Sequence, residues 1–96
     1  MVSYEYLVTA EDARAFTVCM QDMRRVRRRG GAINWSVYED ILQPGVFVET
    51  FVVGSWMEYL RQQERYTVND QKIQNRICAF HQGETLPLIR YLVAPV

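Results

Sequence analysis

Residues 46–53, VFVETFVV, are β-branched or aromatic at nearly every position, the pattern of a strand buried on both faces. Gly54 breaks that run. Ser55 and Glu58 then have the S-x-x-E spacing of a helix-start capping box, so a helix over about 55–65 follows without a loop. Upstream, residues 2–8 alternate Tyr4, Tyr6 and Val8 against Ser3, Glu5 and Leu7, the period of two expected of a strand. Thr9 with Asp12 is a second N-cap signature and predicts a helix from about 10 to 29. Its apolar stripe runs through Ala13, Phe16, Met20 and Met23, with Cys19 and Val26 beside it, and Gly30 and Gly31 end it.

Residues 32–39 predict a second strand, with Ile33, Trp35 and Val37 on one face and Asn34, Ser36 and Tyr38 on the other. Gln43, Pro44 and Gly45 supply a turn, since proline presets φ and glycine accepts a positive one, so the second and third strands form a hairpin. Thr67 with Asp70 caps a third helix through Ile73, Ile77 and Phe80 that stops near Gly83, and residues 86–93 make the last strand, with Pro87 tolerated at its beginning. The order β-α-β-β-α-α-β predicts an α+β fold, a ferredoxin-like sandwich spanning 1–96 as a single domain, with helices on one face of four antiparallel strands. On the third strand Val46, Val48 and Val52 point one way, and Phe47, Phe51 and Val53 the other. Helices bury only one set, so the other implies a homodimer joined through its sheet faces.

Composition supports that expectation. A chain of 96 residues buries only about 60–65% of its unfolded surface, and an apolar content of 49% leaves surface for a partner subunit. The formal net charge is zero, which gives no global field for nucleic acid or an anionic membrane. Five arginines nevertheless crowd into positions 24, 25, 27, 28 and 29. Cations in a helix's last turn complement its dipole and face water, the favoured reading; the other is an anion or RNA site. Cys19 and Cys78 lack C-x-x-C spacing and read as buried, reduced thiols. No apolar run reaches the length of a membrane span and no signal-peptide pattern opens the chain, so the expectation is a soluble, cytoplasmic protein.

His81 is the only histidine, no metal-ligand spacing accompanies it, and its place at a helix C-terminus favours a capping role in the charged form. Ser36 and Ser55 have no neighbouring base, so nucleophilic catalysis has no support. Glu49 stands out, because a carboxylate in the middle of a buried strand must be paired. Arg90 is its first expected partner, with Arg61 or Arg65 as others. An ion pair that fixes the sheet or the dimer is the favoured reading, and a polar anchor inside a ligand cavity is the alternative. Trp35, Trp56, Tyr4, Tyr6 and Tyr59 offer the flat amphipathic surface that aromatic-ligand pockets use. The candidate ligand-binding residues are therefore Trp35, Glu49, Trp56, Tyr59, Arg61, His81 and Arg90, with no metal and no cofactor expected.

The run Val48 to Asp70, V-E-T-F-V-V-x-S-W-x-E-x-L-R-Q-x-E-R-x-T-x-x-D, resembles the soluble C-terminal segment of the transmembrane secretion effector group of major facilitator exporters. Phe80, His81, Gly83, Tyr91, Leu92 and Pro95 continue the likeness. Those segments look in turn like the antibiotic biosynthesis monooxygenase superfamily, whose dimeric α/β-barrel fold matches the element order. The resemblance implies a domain that binds a hydrophobic or aromatic small molecule, accessory to an exporter of drugs or siderophores. Two alternatives are a cofactor-independent monooxygenase acting on a polycyclic phenol or quinone, and a dimerisation module without ligand. Related segments often carry histidine where this chain has Tyr59 and Gln63, which weighs against acid–base catalysis. Val53 stands at the position expected for the tryptophan of haem-degrading relatives, and no histidine lies on the 55–65 helix, so haem is disfavoured.

Overall fold

A computed structural model describes residues 1–96. Strands β1 (Val2–Leu7), β2 (Ile33–Glu39), β3 (Val46–Val52) and β4 (Leu88–Tyr91) alternate with helices α1 (Ala13–Arg29), α2 (Trp56–Glu64) and α3 (Val68–Phe80) in the expected order. The four strands form one antiparallel sheet in the order β2-β3-β1-β4, the ferredoxin-like topology. The expected β2–β3 hairpin is present. Gly45 closes its turn at φ +94°, and its N–H bonds the Glu39 carboxylate. A side chain there would also strike the Val8 carbonyl oxygen, 2.9 Å from where a Cβ would sit.

The helices pack on one face. Tyr4 opposes Glu49 and Tyr6 opposes Phe47, so these side chains point toward the helices together with Val2 and Phe51. There they join Phe16, Met20 and Met23 of α1, Tyr59 of α2 and Ile77 of α3 in one buried cluster. Glu5 opposes Val48 and Leu7 opposes Val46 on the other face, which no helix covers. Leu7, Tyr38 and Leu88 are exposed there.

Local capping sets two of the helix starts. The Ser55 hydroxyl accepts from the Glu58 N–H at 3.1 Å, but the Glu58 carboxylate turns to Arg61, 2.5 Å away, so only half of the expected box forms. Thr67 and Asp70 make the complete reciprocal box. The first helix begins at Ala13, not near 10. Thr9 holds the Asp12 N–H in a turn that precedes the helix, and Asp12 caps it without a side-chain bond. The second strand also departs from strict alternation. Asn34 takes φ +53° and the pairing register shifts between Ile33 and Ser36, so Ile33 is 59% exposed while Trp35 and Val37 pack on the core. The last strand is shorter than 86–93, and its four residues are exposed.

Candidate functional site

The middle of the domain holds an ion pair. Arg27 and Glu49 both have 0% of their side chains exposed, with Arg27 Nε 3.0 Å from Glu49 Oε2 and Nη2 3.2 Å from Oε1. This two-pronged geometry is the strong form of the interaction. The remaining valences are also used: Trp35 Nε1 donates to Glu49 Oε2 at 2.8 Å, and Arg27 Nη1 donates to the Tyr66 hydroxyl at 2.6 Å. The Arg27 guanidinium lies over the rings of Tyr4 and Phe51, 4.5 and 4.7 Å from their centroids. Burial works against the Arg27 charge, yet Glu49 outweighs it and holds the Arg27 pKa well above the usual arginine value.

The partner of Glu49 therefore differs from the one expected. Arg90 opposes Ser3 and sits on the uncovered face, whereas Glu49 opposes Tyr4 on the helix face, so the sheet itself separates them. Arg61 bonds Glu58 at the surface, and Arg65 also points to Glu58, at 4.0 Å. The arginine run does not uniformly face water either. Arg27 follows Phe16, Met20 and Met23 at helical spacing, which places it in the stripe that faces the sheet. That spacing was the available signal for Arg27, and the charge of its neighbours masked it.

A cavity of about 320 Å³ opens beside this cluster, at the end of the sheet where β1 begins and β3 and β4 finish. Trp56, Tyr59, Tyr91, Val53 and Val2 supply its walls, with Ser55 at the rim. Helix α2 begins directly at the end of β3, so the Ser55 cap places Trp56 and Tyr59 against Tyr91 of the outermost strand. Trp56 meets Tyr91 edge-on at 4.7 Å and stacks on Tyr59 at 5.6 Å. Trp56 is 52% exposed, whereas Tyr59 is buried. The Tyr59 and Tyr4 hydroxyls are 2.5 Å apart, which links the cavity wall to the ring beneath Arg27. Burial raises the pKa of both tyrosines. At neutral pH these hydroxyls stay protonated and are poor at removing a proton from a ligand.

The sequence candidates thus separate. Trp56 and Tyr59 meet in the cavity, joined by Tyr91, which pattern reasoning missed because only the strand pairing brings Val2 opposite Tyr91. Trp35 and Glu49 belong to the interior cluster. Arg61 and Arg90 are at the surface, away from both. His81 caps the end of α3, where its Nδ1 accepts the Leu7 N–H at 3.0 Å. No three His, Cys or carboxylate side chains come together as a metal-ligand set, and no helix is long and apolar enough to cross a membrane.

Solved structures share this architecture. A protein from Caulobacter crescentus CB15, provisionally assigned as an antibiotic biosynthesis monooxygenase, superposes with a TM-score of 0.79 at 17% identity, covering 97% of this chain and 86% of its own. One from Deinococcus radiodurans with the same assignment gives 0.72 at 17% identity over 100% and 95%. A conserved protein from Methanosarcina mazei Go1 gives 0.75 at 14% identity over 93% and 87%. At these identities the likeness establishes the fold, which is that of the antibiotic biosynthesis monooxygenase-like proteins. No curated protein matches the chain in sequence. The profile of one family, described as transmembrane secretion effector, matches residues 1–95, and the chain belongs to that family.

Proposed function

We propose that residues 1–96 act as a single small-molecule-binding domain, accessory to an exporter, that takes a flat aromatic ligand against the wall formed by Trp56, Tyr59 and Tyr91. The cavity walled by these three rings carries the reading: its volume of about 320 Å³ lies at the lower end of ligand pockets, and it pairs aromatic faces with a few hydroxyls. Binding is preferred to monooxygenation because burial holds the Tyr59 hydroxyl protonated and no histidine or carboxylate lines the cavity. The domain works in the cytoplasm as a homodimer whose uncovered sheet faces meet. Leu7, Tyr38 and Leu88 support this, being large side chains left exposed on one face of a small domain.

A thermal-shift titration with a tricyclic quinone, followed by oxygen-uptake measurement, tests the reading. Saturable stabilisation of the wild type that Trp56→Ala weakens at least tenfold, without oxygen consumption, is expected. Oxygen consumption would replace the reading with the enzyme alternative, and the absence of any shift would leave dimerisation as the function. Light scattering should give twice the chain mass, with Val48→Glu on the uncovered face monomeric.

A further inference from the structure

We propose that the cleft between the last turns of α1 and the start of β2 is a phosphate-binding site, separate from the aromatic cavity. Three of the five arginines between positions 24 and 29 have acidic partners: Arg25 bonds Asp22, Arg27 bonds Glu49 and Arg29 bonds Asp70. Arg24 and Arg28 have none. They lie four residues apart on one helix face, where like charges repel, and both line a polar cleft of about 370 Å³ with Ile33, Asn34 and Trp35. The helix dipole accounts for cations near this terminus, but not for two unpaired ones sharing a cleft.

The opposite wall of the cleft carries a second, independent feature. Asn34 is the only non-glycine residue with positive φ, at +53°, and it lies where the β2–β3 register shifts. Bulges of this kind re-aim side chains beside binding sites, and backbone strain of this kind clusters there. The bulge places Asn34 on the rim and Trp35 in the wall. Trp35 is fixed from within by its bond to Glu49, and the Arg24 guanidinium stands 6.0 Å from its ring centroid. Two guanidiniums carry the charge to match a phosphate dianion, and each presents the planar fork that grips phosphate oxygens in pairs. A monocarboxylate would leave one of them unmatched.

Trp35 reports on the site directly. The chain has two tryptophans, so Trp56→Phe leaves Trp35 as the sole indole. In that background, inorganic pyrophosphate is titrated against Trp35 emission, and co-sedimentation is measured with phosphatidylcholine vesicles containing phosphatidic acid. Saturable quenching by pyrophosphate identifies a soluble phosphate ligand; vesicle binding alone identifies a lipid headgroup, and either supports the site. The double variant Arg24→Ala/Arg28→Ala should weaken the response at least tenfold, while Arg25→Ala leaves it within twofold, with far-UV circular dichroism verifying that each variant is folded. Failure of both probes overturns the proposal, as does a response that survives the double substitution.

Discussion

Removing the Glu49 carboxylate should be among the most damaging single changes in the protein. In Glu49→Ala, Arg27 keeps its charge at 0% exposure and loses both carboxylate contacts, retaining only the Tyr66 hydroxyl and the faces of Tyr4 and Phe51. Leaving a buried charge without its partner costs about 3–5 kcal/mol, a large share of the stability of a domain this size. Trp35 Nε1 loses its acceptor too, but Trp35 is only part-buried and water can replace that bond. Glu49→Gln keeps an oxygen for one donor and should cost less, about 1.5–3 kcal/mol, the value of a hydrogen bond to a charged group. Arg27→Met strands the carboxylate instead and should cost as much as Glu49→Ala. Combining Arg27→Met with Glu49→Ala removes both charges, and the double variant should be far more stable than the sum of the singles predicts. Urea unfolding followed by far-UV circular dichroism measures all four without interference from changed tryptophan emission. A Glu49→Ala cost below about 1 kcal/mol, or additive costs in the double variant, would refute a dry, mutually dependent pair.

Gln62 is buried on α2, and its Oε1 has no hydrogen-bond partner. Gln62→Met, similar in volume, should therefore raise stability by about 1 kcal/mol, read as a higher urea midpoint at unchanged slope. Ser55→Ala should cost about 0.5–2 kcal/mol through the lost Glu58 N–H bond; loss of ligand affinity at unchanged stability would contradict a purely capping role. The Arg29 hydrogen bond and the Thr67 cap lower the Asp70 pKa below the usual carboxylate range. Its contribution to stability is complete above the unfolded carboxylate pKa and is lost as pH falls through the lowered folded value, so Asp70→Asn should flatten the acid limb of the stability profile.

Signals confined to a few neighbouring residues were the most legible in the sequence. The Pro44-Gly45 turn, the Ser55 and Thr67 caps and the doubly apolar β3 each depend on local backbone chemistry, and together they dictate the element order and hence the fold. Pairing across the sheet was not legible. Glu49 and Arg90 each read as mid-strand residues, but the face of each follows from a register that only the assembled sheet defines, and they fall on opposite sides. Asn34 interrupts the parity of β2, so simple alternation misplaced Ile33. Arg27 was hidden for a different reason: four charged neighbours imply a solvated surface, although its spacing from Met20 and Met23 points inward. Of the cavity, Trp56 and Tyr59 were foreseeable from the helix that carries them, while Tyr91 reaches them only through the β1–β4 pairing.

The strand order also constrains how the chain assembles as it leaves the ribosome. The β2–β3 hairpin closes over a short loop and can form as soon as both strands have emerged. The strand β1, made before either, lies at the centre of the sheet and must wait, first for β3 and finally for β4, whose Tyr91 pairs with Val2 across nearly the whole described sequence. Contacts this distant close late and slow folding. Until β4 arrives, one side of β1 presents unpaired N–H and C=O groups, the edge on which nascent chains mispair. The segment after α3 shortens that exposure: Gln82 N–H bonds the Leu7 carbonyl and His81 takes the Leu7 N–H, covering the far end of β1 before the last strand is added.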